Sequence, residues 1–281
     1  MSESREFKSF FKEVGGNEGS LCNYTTRLDT YGCGCAHDCN YCYAKSLLDF
    51  RNLWDPKNPA VADIEKIRKK IKKLPKGIVI RLGGMTDCFQ PAERIHKVTY
   101  ETIKALNDAG IEYLIVTKSD LVASDEYMAV MDKNLAHIQI SVTTTDDNLN
   151  KTYEKATLPS KRIAAIEKLQ AHGFDVQLRL SPFIPEYIDF EILNNVKCDK
   201  ILIEFLRVNT WVKKWFNIDF SKHTLKHGGY THLPLETKLE YLKLINWKGQ
   251  MSICEDVPEH YKYWQEHFNV NSNDCCNLKR N

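Results

Sequence analysis

The sequence has no run approaching the roughly 18 consecutive apolar residues of a membrane span, no internal repeat and no low-complexity linker. The first absence excludes a helical membrane protein, and the second excludes solenoids and propellers. Charge of one sign is also lacking. Lys and Arg number 39 against 37 Asp and Glu, a net charge of +2, so the whole molecule is no obvious polyanion binder. The amino terminus, MSESREFKSFFKEVGG, lacks the apolar core of a signal peptide. These absences predict a cytoplasmic protein, a compartment in which thiols stay reduced. What the chain does have is cysteine, ten in 281 residues. In that setting they read as metal ligands, redox groups or core packing rather than as disulfides. A content of 43% hydrophobic and 27% charged residues is enough to bury a real core.

From residue 60 onward, short β-type runs alternate with helical patterns. The expected strands are GIVIRLGG (77–84), IEYLIVTKS (111–119), HIQISVTTT (137–145), FDVQLRLSP (174–182), KILIEFL (200–206) and QMSICED (250–256), with one more near SLCNYTT. Helical patterns separate them, two ending at Gly110 and Gly173 as C-caps. Strand and helix in series demand right-handed crossovers and parallel pairing. The expectation is an α/β fold, a partial or full (β/α) TIM-type barrel, with ligands gathered at the carboxyl ends of the strands. The whole of 1–281 is read as one domain with its core at about 20–256. Residues 209–234, rich in aromatics and histidine, are expected to form a lid or crossover, and 257–281 a docked tail.

The stretch YGCGCAHDCNYCYAKS places Cys35, Cys39 and Cys42 at offsets C-x3-C-x2-C, with no fourth cysteine at ligand spacing and Cys33 standing too close to Cys35 to join the pattern. A structural zinc site closes with four ligands, and a fully ligated iron–sulfur cube takes four thiolates. Three thiolates leave one iron open to a small molecule. Zinc and a chance group of packed thiols are the two competing readings.

With Tyr41 in the aromatic slot before the last cysteine, the loop closely resembles the radical S-adenosylmethionine (radical SAM) superfamily. That resemblance implies a [4Fe-4S] cluster held by Cys35, Cys39 and Cys42. Its open iron chelates S-adenosylmethionine, whose cleavage gives a 5'-deoxyadenosyl radical, with an electron supplied by a donor such as flavodoxin or ferredoxin. It also implies that Gly83 and Gly84, at the end of a strand, receive the methionine amino group. The segments GGMTDCFQPAE, LIVTKSD and ISVTTTDD are similar to the spore photoproduct lyase subgroup over roughly residues 20 to 185. By that match Lys118 pairs with the S-adenosylmethionine carboxylate, while Thr86 and Ser141 contact its polar groups.

Two features depart from a DNA-repair enzyme. The cysteine that returns hydrogen in spore photoproduct lyases aligns with Gly84, and Cys88 lies four residues further on. The strongest basic run, KIRKKIKKLPK, falls on a helix at about 62–73 that packs outside a barrel, so nucleic acid is not the expected partner. The queuine lyases, small-substrate members of the subgroup, are similar in length. That likeness implies a lyase that breaks the carbon–nitrogen bond of queuine and releases 7-aminomethyl-7-deazaguanine for queuosine salvage. A guanine-like edge and a diol both suit carboxylates, and Glu204, Asp87, Glu255 and Asp256 stand at or near strand exits. Tyr43 and Cys254 are candidate hydrogen donors to a product radical. His223, His227 and His232 are read as surface histidines. Cys254, Cys275 and Cys276 are read either as an auxiliary metal site or as reduced thiols in the tail.

Overall fold

A computed structural model describes residues 5–15 and 21–279. Eight strands form the main sheet in the order of the chain: β1 Phe11–Glu13, β2 Thr26–Leu28, β3 Val79–Leu82, β4 Glu112–Thr117, β5 Ala136–Val142, β6 Asp175–Phe183, β7 Lys200–Phe205 and β8 Gln250–Cys254. β1 pairs antiparallel with β2, and every later pairing is parallel. β8 pairs with β7 only, so this is the open, partial form of the expected barrel. Among the described residues no helix is long and apolar enough to cross a membrane.

Alternation along the strands decides what the curved sheet encloses, because successive side chains point to opposite faces. On β5, Ala136, Ile138, Ile140 and Val142 pack into the large apolar core, while His137, Gln139 and Ser141 occupy the other face. β6 repeats the pattern, with Val176, Leu178 and Leu180 in the core and Gln177 and Arg179 opposite. Gln139 donates to Gln177 at 2.9 Å and accepts from Arg179 at 2.7 Å. The inner face is therefore polar yet dry, and its groups bond to one another.

Helices between the strands fall where their apolar periodicity places them, with one exception. The pattern over 92–110 reads as a single helix, but the chain breaks at Lys97, in the left-handed region at φ 54, giving Glu93–His96 and Val98–Ala109. Glu93 is the cause. Its fully buried carboxylate accepts from the N–H groups of Thr99 and Tyr100, both at 2.9 Å, and so caps the second helix. The strand expected near SLCNYTT lies further on, at Thr26–Leu28; the Tyr24 N–H instead bends back to Cys22 Sγ at 3.4 Å.

The tail forms a helix, Pro258–His267, and then docks beneath the barrel. Lys200 donates to the Asn277 carbonyl at 2.8 Å, the Lys279 N–H to Asp175 at 3.0 Å, and Tyr24 to Asp274 at 2.6 Å. The 209–234 segment contains a short helix, Thr210–Trp215, and a hairpin, Leu225–His227 with Tyr230–His232. Val212 and Phe216 from it pack against Tyr153, Ile184 and Leu206.

One buried ion pair ties this frame to the cysteine loop. Arg162 and Glu154 are both fully buried side by side, and Glu154 also takes the hydroxyl of Tyr41. Removing one partner strands the other without compensation, so Glu154→Ala is expected to cost about 3–5 kcal/mol in urea unfolding. A loss below about 1 kcal/mol would show that the pair does not brace the loop.

Candidate functional site

The cysteine loop has little regular structure of its own, so its shape is set by bonds to the barrel. Gln90 accepts from the Ala36 N–H at 3.0 Å and donates to the Gly34 carbonyl at 3.4 Å. The Asn40 N–H reaches the Tyr153 carbonyl at 2.9 Å, and the Lys155 N–H reaches that of His37 at 2.7 Å. Asp38 is gripped by Lys45 at 2.9 Å and by Lys155 at 3.0 Å. Tyr31, where the loop begins, donates to Glu93, as does Tyr127. The residues that read as the TD…QP.E motif thus work mainly as supports of the loop.

So held, Cys35, Cys39 and Cys42 all line one cavity at the carboxyl ends of the strands. Burial pushes the Cys35 thiol up to about 12 and raises Cys39 and Cys42 as well. Bare thiolates are disfavoured there, and bound metal is the natural compensation. Among the described residues, His232, Glu255 and Asp256 bring ligand atoms within 4.8 Å of one another on the same cavity. Cys33, at φ 56, does not line the cavity.

Gly83, Gly84, Thr86, Lys118 and Ser141 line the same cavity. Gly83 has φ +82, and a Cβ there would meet the Val116 carbonyl oxygen at 2.8 Å, so the position requires glycine. The N–H groups of Gly84 and Met85 are fixed by Asp29 at 2.7 and 3.0 Å. Thr86 spends its hydroxyl on the Tyr31 carbonyl at 2.6 Å. Lys118 lies 5.5 Å over the Tyr41 ring and, among the described residues, makes no ion pair; its charge is left for a ligand. Tyr41 itself is not on the cavity wall. It packs against Tyr153 and Phe216 and donates to Glu154, a supporting position in place of the ligand contact expected for it.

The four candidate carboxylates separate by hydrogen-bond arithmetic, since a carboxylate offers about four acceptor positions. Asp87 accepts from the Phe89 N–H, Thr117 and the Lys118 N–H at 2.6 to 2.8 Å, with His37 Nε2 near it at 3.1 Å but making no hydrogen bond. Burial would raise its pKa, but His37 and these donors hold it below the usual carboxylate range. Glu255 is filled by Lys238, Trp264 and the N–H groups of Asp256 and Val257. Glu255 thus has little capacity left for a substrate, while Asp87 keeps one acceptor position. Glu204 is different. One oxygen is held by Arg179 and by Ser181 at 2.8 Å, while the other, among the described residues, has only Arg207 at 3.5 Å. Burial would push it up, but Arg179 and Arg207 bring it down to about 2, so it stays ionised. Asp256 meets Arg207 at 3.2 Å and His232 at 3.9 Å, and it too has open acceptor positions.

His232 is buried on the cavity wall, which overturns its reading as a surface histidine. Tyr43 and Cys254 also line the cavity, the Tyr43 hydroxyl donating to the Gly84 carbonyl. Sequence reasoning missed His37, Arg179, Ser181 and Lys238. The alternation in QLRLS hinted at Arg179 and Ser181; the others had no local signal.

Comparison with known proteins agrees with this geometry. Residues 30–196 match the Radical SAM superfamily, and the chain belongs to that superfamily. It is an enzyme family that uses a [4Fe-4S] cluster and S-adenosylmethionine. The chain is 32% identical over 171 residues to an uncharacterised protein of Methanocaldococcus jannaschii, covering 57% of this chain and 61% of that protein. It is 24% identical over 167 residues to an uncharacterised protein of Acidianus two-tailed virus, covering 55% of each. It thus matches less than two thirds of the length of either relative. In fold it is similar to spore photoproduct lyase complexed with dinucleoside spore photoproduct, with a TM-score of 0.62, 13% identity and coverage of 88% of this chain and 80% of that one. It is also similar to SuiB of Streptococcus suis bound to S-adenosylmethionine, with a TM-score of 0.53, 13% identity and coverage of 86% and 55%.

Lys118 supplies a testable point. Lys118→Met is expected to weaken S-adenosylmethionine binding at least about tenfold in equilibrium dialysis, at unchanged iron content, because it removes a charge-assisted contact. Undiminished binding would remove Lys118 from the site.

Proposed function

We propose that this protein is a radical SAM lyase that cleaves queuine and releases 7-aminomethyl-7-deazaguanine. When bound at Cys35, Cys39 and Cys42, the cluster and S-adenosylmethionine supply a 5'-deoxyadenosyl radical and consume one electron from an external donor. The chain's own task is to orient one substrate hydrogen, exclude water and hold the base. Cleavage removes one hydrogen atom from the cyclopentenediol, breaks its bond to nitrogen and returns one hydrogen atom to that nitrogen. Lys118 and the Gly83–Gly84 backbone would place the methionine end of S-adenosylmethionine.

The observation that carries the substrate reading is the row Glu204–Arg207–Asp256 on the cavity wall, a cation between two carboxylates that both keep open acceptor positions. Glu204 suits the paired N–H donors of a guanine-like edge, and Asp256 suits the two hydroxyls of a diol. Tyr43, beside Arg207 at 5.5 Å, is our candidate for returning the hydrogen atom, its phenoxyl radical then being restored by a second electron from the external donor and a proton from solvent.

Against a nucleic-acid substrate stands the fate of the basic run. On the helix Ile64–Ile71, Lys66 pairs with Glu6, Arg68 with Glu65 and Glu101, and Lys70 covers Phe11. A side chain at Gly84 would meet Arg27 Cδ at 2.3 Å, so a hydrogen-donating thiol does not fit there as Arg27 now lies.

With anaerobically reconstituted protein, S-adenosylmethionine and dithionite, queuine is expected to raise 5'-deoxyadenosine above the uncoupled background and to yield the aminomethyl base by mass spectrometry. Glu204→Gln should raise KM for queuine about tenfold or more, the worth of one charge-assisted contact. If queuine leaves the background unchanged while thymine-dimer DNA raises it, the substrate assignment is wrong.

A further inference from the structure

Below the cavity lies a second group of thiols that the radical site does not use. Cys22 leads into β2, Cys254 closes β8, and Cys275 and Cys276 come from the docked tail. β2 and β8 are the first and last parallel strands of the sheet, and they do not pair. Cys275 and Cys276 pack together with Tyr24, Val79, Leu114 and Leu202, and Cys22 and Cys254 close on the same group. The thiols of Cys254 and Cys276 lie close enough to that of Cys275 to act on it. Cys22, Cys254 and Cys275 reach the cavity wall, and all four thiols are free.

The tail is folded so as to present this pair. Asp274 accepts from the Cys276 N–H at 2.9 Å, the Leu278 N–H at 3.2 Å and the Tyr24 hydroxyl at 2.6 Å, fixing the turn that carries both cysteines.

Two guanidinium groups face the same place. Arg179 is 6% exposed and acts electrostatically on Cys254 and Cys276, while Arg81 acts on Cys22 and Cys276. Arg81 Nε is buried without a hydrogen-bond partner. Arg179 already pairs with Glu204, but among the described residues Arg81 has no carboxylate partner, and a cation beside four neutral thiols lacks compensating charge.

We propose that Cys22, Cys254, Cys275 and Cys276 hold a second metal centre, an iron–sulfur cube closed by four protein thiolates. Formation releases four protons to solvent, and Arg81 offsets part of the net negative charge of the cluster. A single tetrahedral zinc ion, with bonds of about 2.3 Å and sulfurs about 3.8 Å apart, is the competing occupant and is decided by the test. The centre staples the tail to the first and last parallel strands, across the gap that the open barrel leaves. Cys254 then serves as a ligand, which removes it from the hydrogen donors.

The test separates the two centres. Full-length protein with Cys35→Ala, Cys39→Ala and Cys42→Ala, reconstituted anaerobically with iron and sulfide, is expected to keep about four irons and four sulfides per chain. The Cys275→Ala, Cys276→Ala protein should also keep about four, against about eight in the parent. On reduction, the paramagnetic resonance signal of the first variant should not respond to S-adenosylmethionine, since every iron is ligated; that of the second should. A folded first variant, verified by circular dichroism, that retains no iron would overturn the proposal, as would one that retains a single zinc. A parent that holds only four irons while the Cys275→Ala, Cys276→Ala protein is unaffected would overturn it independently.

Discussion

The structure depends on holding an irregular loop still. Three thiols can converge on one cluster only if the chain between them is fixed, and a ten-residue loop with few internal backbone bonds cannot fix itself. The barrel does it, through Gln90 to the Ala36 N–H and Gly34 carbonyl, and through Tyr41 to the buried Glu154–Arg162 pair. Tyr31 on Glu93 anchors the near end, and Asp38 between Lys45 and Lys155 anchors the middle. Apart from the exposed Lys155 contact, each support is a buried or half-buried polar contact, strong because water is kept away and damaging if half of it is lost.

The same logic shapes the interior. A conventional barrel fills its lumen with branched apolar side chains. Here the lumen carries Gln139, Gln177, Arg179 and Glu204, all tied to one another or to neighbours, and the apolar halves of the strands face the helices. Such an interior can present charge to a ligand without paying for new desolvation at the moment of binding. Saturation of Glu255 by protein donors leaves Glu204 and Asp256, which share Arg207, as the carboxylates of the proposed substrate contact.

Much of this was legible in the sequence. The six parallel strands after residue 60 showed in their apolar runs, and the cysteine spacing with Tyr41 pointed to the family that residues 30–196 match. The roles inside the motifs were harder to read. Glu93 breaks the helix that periodicity predicts, because its carboxylate is worth more as a cap for Thr99 and Tyr100 than as an exposed residue. Asp87 looked like a substrate ligand at a strand exit but is largely engaged by His37 and Thr117, a partnership that spans 50 residues of chain to the former and 30 to the latter. Alternation in HIQISV and DVQLRLS showed one polar face, yet solvated sheets alternate in the same way, and only curvature places that face inside. Cys22 carried no signal, since its neighbours Cys254 and Cys275 approach it through tertiary folding alone.

The central claim is a cluster held by Cys35, Cys39 and Cys42 whose remaining iron takes S-adenosylmethionine. The most direct measurement is electron–nuclear double resonance on the anaerobically reduced protein with S-adenosylmethionine labelled at the amino nitrogen and carboxylate oxygen. Strong hyperfine coupling from both labels to the cluster is predicted, lost when Cys39 is replaced by alanine. Absence of coupling in protein carrying its full complement of iron would contradict the account.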